Sequence, residues 1–407
     1  MSWSARLAEQ AQQRRAQARL RRIEPVVALP EGRVERGGRV LLEFSSNDYL
    51  GLARDPRQAE VLAAAARAHG AGAGAAHAVS GHHPEHERLQ AELADWLQRP
   101  AVLLCSSGWS AALGCLGGLL QRGDACLQDR LNHACLLDGA RLAGARLSRY
   151  RHLDADHAGE QLQALDAGAL ALLVTDGVFS MDGDVAPLPQ LAAAAAEHDS
   201  WLMVDEAHAL GVLGPDGAGS AAAVGLDARQ VPILMGTFGK ALGGWGAFIA
   251  GSVELIEHLQ HTARPWLFST ALPAAWATLC RSAVARVRRE TALREQLQAR
   301  IAQFRDGAAE LGLSRPPLAS NDSGDERIGL LPSDTPIQPF LLGSEARALT
   351  WEAALADAGL AVKAIRPPTV PAGQSRLRIA LSAGHSPEQI ERLLGALARL
   401  RDSEAQT

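Results

Sequence analysis

Short apolar runs alternate with helical segments between about residue 85 and residue 270. Each of four runs is apolar on both faces and is followed by a small or polar residue; they are Ala101–Cys105, Ala171–Thr175, Trp201–Val204 and Val231–Met235. Runs of this kind are typical of buried parallel strands that helices connect. The pattern therefore predicts an α/β domain built on a mostly parallel sheet.

The N-terminal part of the chain has a different pattern. Apolar and alanine positions recur at helical spacing over residues 5–22, among several arginines. This predicts an amphipathic helix whose basic face is solvated. A strand-like stretch, Gly38–Phe44, follows and ends in the turn Ser45–Asp48.

The C-terminal part mixes helices and strands. A long helical pattern runs from Pro273 to Leu311 and ends in the polar segment Ser320–Glu326, which reads as a loop or insertion. The patterns beyond it predict strands at Ile337–Leu342 and Ser375–Leu381, and helices at 344–359 and 386–401. We therefore expect a smaller α+β domain here.

A chain of 407 residues exceeds what one hydrophobic core usually serves. We divide it into an N-terminal helix-and-strand segment at 1–50, a large α/β domain at 51–272 and a C-terminal α+β domain at 273–407.

Composition excludes several classes of function. A net charge of −5 argues against a nucleic-acid partner. No apolar stretch approaches the ~20 residues of a membrane span, and the N-terminus lacks the apolar core of a secretory signal. The five cysteines form no Cys-x-x-Cys pair, which favours reduced thiols and a cytoplasmic protein.

Lysine is almost absent, which makes Lys240 conspicuous. Of the 40 basic residues only Lys240 and Lys363 are lysine. Arginine stays protonated and cannot form an imine, whereas a partly buried lysine can lose its proton and do so. Lys240 lies in the small-residue stretch Gly236–Gly244, which leaves room for a ligand.

Ligands of open α/β sheets bind outside the carboxyl ends of the strands. The segments that follow the four apolar runs are therefore the candidates for a site. They are Ser107–Trp109, Gly177–Ser180, Asp205–His208 and Thr237–Lys240.

These segments supply what pyridoxal phosphate requires. Lys240 offers the imine-forming amine, and Asp205 can keep the pyridine nitrogen protonated. His208 could reach the phenolic oxygen of the cofactor, and His133 is a candidate to stack on its ring. The backbone N–H groups of Ser107–Gly108–Trp109 at a helix start offer a phosphate seat, to which the Thr237 hydroxyl could add. Taken one at a time, a helix cap, a packed histidine or an ordinary turn would explain each residue equally well.

Competing motifs fit less well. Asp205–His208 spells the helicase box Asp-Glu-Ala-His, but no upstream phosphate-binding loop accompanies it. Gly70–Gly74 does not complete a dinucleotide-binding fingerprint. His82, His83 and His86 occur with Glu85 and Glu87, and a mixed-charge helix start explains this cluster better than a metal site. We therefore predict no metal.

Taken together, the motifs resemble the α-oxoamine synthases, a family of fold-type I pyridoxal phosphate enzymes. The resemblance runs nearly from end to end. It is carried by Met1–Trp3, Phe44–Leu52, Gly177–Asp184, Thr237–Lys240 and Ala364–Pro371. It implies a large domain with a seven-stranded, mostly parallel sheet and a smaller C-terminal domain.

The resemblance also implies roles for individual residues. Lys240 would be the Schiff-base lysine, Asp205 the pyridinium partner and His133 the catalytic residue that stacks on the ring. The other implied cofactor-binding residues are Gly108, Trp109, Ser180, His208, Thr237, Ser269 and Thr270. Ser269 and Thr270 would reach the phosphate of the neighbouring subunit, so a homodimer is implied. Arg21, Asn47, His133, Arg366 and Thr369 would contact substrate.

Members of this family condense an amino acid with an acyl thioester and release carbon dioxide. Within the family the chain most resembles members that join L-alanine to a pimeloyl thioester of coenzyme A or acyl carrier protein in biotin biosynthesis. It departs from the usual family residues at Trp109, Trp245 and His77.

Overall fold

The computed structural model describes residues 1–20, 23–166, 168–315 and 328–404. The chain forms two compact units. The first comprises Met1–Ser46, Met181–Gly183 and Gln296–Thr407, and the second comprises Asn47–Ser180 and Asp184–Glu295. Arg21 and the predicted loop Ser320–Glu326 lie outside the described residues.

Regular elements follow one another along both units. The strands are β1 (Val26–Leu29), β2 (Arg33–Arg36), β3 (Arg39–Glu43), β4 (Ala101–Cys105), β5 (Ala125–Asp129), β6 (Arg146–Tyr150), β7 (Ala171–Asp176), β8 (Trp201–Asp205), β9 (Ile233–Thr237), β10 (Ala247–Gly251), β11 (Gly329–Leu330), β12 (Ile337–Gly343), β13 (Leu360–Ala361), β14 (Lys363–Ile365) and β15 (Ser375–Ala380). The helices are α1 (Trp3–Ala16), α2 (Pro56–His69), α3 (Pro84–Leu97), α4 (Gly108–Leu119), α5 (Ala134–Ala143), α6 (Ala155–Gln163), α7 (Leu188–Glu197), α8 (Ser220–Ala223), α9 (Val253–Thr262), α10 (Arg264–Leu267), α11 (Ala274–Arg289), α12 (Thr291–Glu310), α13 (Glu345–Asp357) and α14 (Pro387–Glu404).

The second unit is built on a seven-stranded sheet. Its strand order is β4-β10-β9-β8-β7-β5-β6. The pairs β9–β8, β8–β7, β7–β5 and β5–β6 are parallel, and β10 runs antiparallel to both of its neighbours. The prediction of an α/β fold with a mostly parallel sheet is confirmed, and all four predicted runs are strands.

Helices cover this sheet because its strands are apolar on both faces. Leu103, Met203 and Ile249, from three different strands, are at most 1% exposed and belong to one core cluster with side chains of α4, α5 and α9. These helices thus remove this face of the sheet from water.

The first unit contains two four-stranded sheets. One has the order β1-β2-β3-β13, with β13 parallel to β3, and the other has the order β11-β12-β15-β14 with antiparallel pairs. The predicted strands at 337–342 and 375–381 are β12 and β15, and the predicted helices at 344–359 and 386–401 are α13 and α14. An α+β arrangement was expected here and is observed.

The units divide the chain at other positions than the three predicted segments. Residues 1–46 belong with the C-terminal elements, because Leu42 of β3 pairs with Leu360 of β13. The helical stretch Pro273–Leu311 is two helices, and the first of them, α11, packs against α2 and α3. The N-terminal helix ends at Ala16, earlier than predicted, and none of its residues is buried.

No helix within the described residues combines the length and the apolar character that crossing a membrane would require.

Candidate functional site

Six strands of the seven-stranded sheet present their carboxyl ends at one edge. Strands β5 to β9 are parallel, and β4 has the same direction because β10 runs antiparallel to both β4 and β9. The four segments predicted to form the site all follow strands at this edge. The fold therefore brings the predicted segments together within the second unit.

Lys240 lies in the turn between β9 and β10 and is half-buried. The Thr237 hydroxyl donates a hydrogen bond to the Gly246 carbonyl oxygen at 2.9 Å, and the Gly243 amide donates one to the Lys240 carbonyl oxygen at 2.9 Å. Gly243 has a φ of +61°, and a Cβ there would lie 2.2 Å from the Ala53 nitrogen. Only glycine suits that position, so the backbone of Lys240 is held in one place.

Asp205 and Asp176 form a buried pair at the ends of β8 and β7. They are partners in the sheet register, and each is 4% exposed. Burial raises the pKa of Asp205, and the Lys240 ammonium group opposes that shift. Burial, followed by the nearby Asp205 charge, raises the pKa of Asp176 well above its usual range. We therefore expect Asp176 to take a proton first, which leaves Asp205 as the anion of the pair.

His133 caps the start of α5 beside these carboxyl groups. Its amide donates to Asp176 Oδ2 at 2.9 Å, and its ring meets the Trp109 ring edge-on with centroids 6.2 Å apart. Burial lowers the pKa of His133 below its usual value, against the opposing effect of Asp205. The imidazole is therefore neutral near pH 7.

The start of α4 can receive an anion. The Ser107 hydroxyl accepts the Ser110 amide at 3.1 Å, and the Ser110 hydroxyl accepts the Ser107 amide at 3.0 Å. Like the first amides of any helix, those of Gly108 and Trp109 have no partner within the helix. A Cβ on Gly108 would meet nothing within 4 Å, so the space above the helix is open. This geometry suits a phosphate group.

A buried chain of hydrogen bonds joins Asn47 to His208. The Tyr49 hydroxyl donates to Asn47 Oδ1 at 3.2 Å and lies 2.7 Å from His208 Nδ1. Tyr49 is fully buried, and His208 is 8% exposed. Two residues that were predicted separately, one for substrate and one for cofactor, are thus linked through a tyrosine.

The remaining predicted cofactor residues occupy less buried positions. Ser180 and Ser269 are half-buried, and Thr270 is exposed and forms an isolated β-bridge with Ala76. Phe268, next to Ser269, is 72% exposed. Residues 268–270 are therefore accessible to another molecule.

Two predicted substrate residues belong to the first unit. Arg366 is buried, and its guanidinium group donates to the carbonyl oxygen of Ala18. Thr369 is exposed, and its amide donates to the Arg366 carbonyl oxygen at 3.2 Å. The third predicted substrate arginine, Arg21, lies outside the described residues.

The sequence interpretation did not single out three residues that shape the site. Tyr49 orients His208, and Asp176 holds the His133 amide. Glu206 accepts hydrogen bonds from the Ser220 amide and hydroxyl, both at 2.7 Å, and from the Ala221 amide at 2.9 Å. An acidic residue at a strand end was the signal for Asp205, and the same signal could have identified Asp176.

Comparison with protein families places this geometry among known enzymes. The family model described as "Aminotransferase class I and II" matches residues 39–397. A curated protein of Alkalilimnicola ehrlichii named 8-amino-7-oxononanoate synthase is 52% identical over 363 residues, which is 89% of each chain. A protein of the same name from Halorhodospira halophila is 51% identical over 97% of this chain and 94% of its own.

Solved structures agree with the sequence comparison. A serine palmitoyltransferase variant from S. paucimobilis with a bound PLP–myriocin aldimine superposes with a TM-score of 0.91 at 25% identity, over 100% of both chains. The 8-amino-7-oxononanoate synthase of Francisella tularensis superposes with a TM-score of 0.75 at 25% identity, over 90% of this chain and 99% of that one.

Proposed function

This chain belongs to the aminotransferase class I and II family, and from that premise we propose that it joins L-alanine to a pimeloyl thioester. The products would be 8-amino-7-oxononanoate, carbon dioxide and the free thiol carrier, as a step of biotin biosynthesis. The observation that carries the proposal is the position of Lys240 beside buried Asp205 at the strand-end edge. Curated relatives at 47–52% identity over most of the chain support the choice of reaction.

The donor set at the strand-end edge fits pyridoxal phosphate. Lys240 would hold it covalently, Asp205 would pair with its ring nitrogen, and His133 would cover one face of its ring. The amides of Gly108 and Trp109 would hold the phosphate, with Thr237 and Ser180 adding hydroxyl groups. When bound, the cofactor supplies an electron sink for the charge that forms at the alanine Cα.

Lys240 has two tasks in this reaction. It would hold the cofactor covalently, and its amine would take the proton from the alanine Cα. The turn around Gly243 fixes the backbone from which the Lys240 side chain extends. A lysine amine can act as such a base once it has lost its proton.

Asp205 keeps the ring nitrogen protonated. A carboxylate does this only while it remains the anion of its pair, and the strongly raised pKa of Asp176 favours that. The Asp176 carboxyl also fixes the His133 amide, so one residue sets both the charge of Asp205 and the position of the stacked imidazole. His208, held by Tyr49, would contact the phenolic oxygen.

Arginine suits the carboxylates of the substrates. A guanidinium group pairs with a carboxylate through two parallel hydrogen bonds. Arg21 and Arg366 are therefore proposed to bind the carboxylates of alanine or of the pimeloyl group, with Thr369 and Asn47 adding polar contacts.

We further propose that the enzyme is a cytoplasmic homodimer. Ser269 and Thr270 would reach the phosphate of the neighbouring subunit, and their accessibility in the single chain supports this. The thiol carrier is either coenzyme A or acyl carrier protein.

The test is thiol release from pimeloyl-coenzyme A and from pimeloyl-acyl carrier protein, with alanine or glycine as the partner. Release with alanine, together with a product of the oxononanoate mass, is the expected result. Preference for glycine and a short acyl chain would agree with the family but would show that the proposed substrates are wrong. A colourless protein that rejects added cofactor would overturn the enzymatic proposal altogether.

The two lysines make a sharper test of the anchor. Borohydride reduction of the holoenzyme should attach the cofactor to the peptide that contains Lys240 and leave Lys363 unmodified. Lys363→Arg is the matched control, because it keeps the charge of a lysine that is half exposed and paired with Glu352 at 2.7 Å. Attachment at any other residue would contradict the assignment.

A further inference from the structure

Three histidines meet at the start of α3, in the second unit. A π-helical turn, His77–Gly81, precedes the helix and brings His77 beside His82 and His86. One ring nitrogen of each lies within 4.8 Å of the others, and among the described residues this is the one group of three or more His, Cys, Asp or Glu side chains spaced for a metal ion. The turn depends on Gly81, because a Cβ there would lie 2.0 Å from the Ala75 carbonyl oxygen.

The membership of this group differs from the sequence interpretation. His83 turns away from it: its Nδ1 accepts the Glu85 amide at 3.2 Å, and its ring lies 4.8 Å from that of His69. Glu85 pairs with Arg88 and Arg281. The helix start thus explains His83 and Glu85, as expected, but it does not account for His77 and His82.

His77 and His82 face each other through their Nδ1 atoms, which are 2.9 Å apart. Two nitrogens that bind one metal at about 2.0–2.1 Å are separated by about 2.9 Å at a right angle and by about 3.3 Å at a tetrahedral angle. The spacing already matches a pair of metal ligands. Coordination needs the proton of each ring on Nε2, the tautomer that leaves both Nδ1 atoms free to bind the ion.

The surroundings keep both rings ready to coordinate. The His77 ring stacks on Trp266 at 5.5 Å and 5°, which fixes its orientation. Glu87 Oε1 lies 3.9 Å from His82 Nε2, where a carboxylate favours the proton on that nitrogen and leaves Nδ1 as the ligand atom.

His86 has a supporting role. Its Nδ1 accepts the His83 amide at 2.9 Å, and its Nε2 donates to the Leu272 carbonyl oxygen at 2.6 Å. With both nitrogens engaged by the backbone, His86 holds the turn and can coordinate only by giving up these bonds. A cavity of about 310 Å³ beside His77 and His82, lined also by Gln90 and Gln260, leaves room for water to complete a coordination shell.

We propose that His77 and His82 bind a divalent first-row transition metal of the Ni²⁺, Cu²⁺ and Zn²⁺ class, with Glu87 as the outer carboxylate. Imidazole nitrogen is a preferred ligand of these ions, and a right-angled pair suits Ni²⁺ and Cu²⁺ in particular. The site does not include Lys240, and the argument for it does not rest on the proposed reaction. It also touches the candidate dimer region, because Ala76, next to His77, forms a β-bridge with Thr270.

The experiment is calorimetric titration of Ni²⁺ into tag-free holoenzyme that has first been treated with a chelator. We expect one ion per chain, and quenching of tryptophan fluorescence because Trp266 stacks on a ligand. His82→Ala and His77→Ala should each weaken binding at least tenfold. Glu87→Gln should weaken it by about 10–100-fold, the usual effect of removing an outer carboxylate.

The matched control is His83→Asn, which removes a neighbouring imidazole and keeps a side chain able to cap α3. It should bind Ni²⁺ with unchanged affinity. Absence of binding in the unmodified holoenzyme would overturn the proposal. Binding that is equally strong in His82→Ala would also overturn it, because the ion would then be held elsewhere, for example by the cofactor phosphate.

Discussion

Two clusters of charged side chains lie at the same edge of the seven-stranded sheet. At the ends of β7 and β8, Asp176 and Asp205 are buried side by side, and their pKa values are raised. At the ends of β5 and β6, His152 bridges Asp129 and Asp184 with contacts of 2.9 Å and 2.8 Å. These partners raise the pKa of His152 to about 10, against the opposing effect of burial.

This difference distinguishes a cluster that is suited to catalysis from one that stabilises the fold. In the His152 cluster every charge has an opposite charge in direct contact, so the cluster is stable and has little tendency to exchange protons near pH 7. In the Lys240 cluster two carboxyl groups, Asp176 and Asp205, are buried side by side, and we expect Asp176 to hold a proton more tightly than Asp205. The Asp205 carboxylate then remains available to pair with the ring nitrogen of a bound cofactor. Perturbed pKa values alone would not distinguish the two clusters, but the sign and origin of the shifts do.

Lys240→Arg, in the first of these clusters, should have the largest effect on activity. It retains the positive charge beside Asp205 but removes the imine-forming amine and the base. We expect thiol release to fall by about 10⁴-fold, the upper end of what a positioned general base contributes. The absorbance band of the lysine-bound cofactor should disappear, while circular dichroism remains that of the folded protein. A variant that keeps this band and its rate would remove Lys240 from the mechanism.

His152→Gln should affect stability more than chemistry. It leaves Asp129, which is 1% exposed, without its opposite charge. Breaking a buried pair costs about 3–5 kcal/mol, and the lower end applies because His152 and Asp184 retain some contact with water. Denaturant unfolding of the two proteins measures the loss.

The pH dependence of that loss has a definite sign. The folded-state pKa of His152 is raised, so its contribution is complete below about pH 6.5, the unfolded value, and is lost as the pH rises through about 10. The stability difference between the two proteins should therefore shrink between these values. A difference that grows with pH would show that His152 is neutral in the folded protein.

Tyr49→Phe should have an intermediate effect on the reaction. It removes the hydroxyl that lies 2.7 Å from His208 Nδ1 and leaves a buried imidazole nitrogen with one partner fewer. A buried polar group that loses a hydrogen-bond partner typically costs about 1–3 kcal/mol of free energy. We expect kcat/KM to fall about tenfold, because His208 is no longer held in place by the hydroxyl group. Unchanged kinetics would make Tyr49 a packing residue only.

Lys363→Arg should have the smallest effect. Its ion pair with Glu352 is half exposed, and pairs of this kind contribute about 0–1 kcal/mol. Stability and thiol release should both stay close to those of the unmodified protein. Comparison with Lys240→Arg then shows whether a loss of activity comes from the Lys240 amine in particular or from replacing either lysine.

Much of the site could be predicted from sequence because ligands of open α/β sheets bind at the carboxyl ends of the strands. Lys240, Asp205 and the start of α4 each follow a short apolar run, and the carboxyl ends of such strands meet at one edge. Strands β5, β6 and β10 were not identified: β6 reads Arg-Leu-Ser-Arg-Tyr and lacks an apolar run, and β10 directly follows the glycine-rich lysine turn. The local pattern carries no signal for β6, because pairing with neighbouring strands determines its conformation. In contrast, β10 reads Ala-Phe-Ile-Ala-Gly and β5 reads Ala-Cys-Leu-Gln-Asp, so both contain apolar residues that could have identified them.

Contacts between distant residues account for the other differences. Tyr49 and His208 are 159 positions apart, and nothing in the sequence near either one indicates the hydrogen bond. The break between α11 and α12 occurs at Glu290, with neither glycine nor proline to mark it. His77 joined the histidine group through a π-helical turn, whose geometry has no local sequence signature comparable to a helix cap.

The scarcity of lysine turns proteolysis into a measure of site occupancy. A protease that cleaves after lysine can divide the unfolded chain only after residues 240 and 363, into three fragments. Reductive attachment of the cofactor blocks the first cut, so fragments 1–240 and 241–363 would be recovered as one piece. The ratio of joined to separated fragments would then count loaded active sites directly, without reference to colour or turnover.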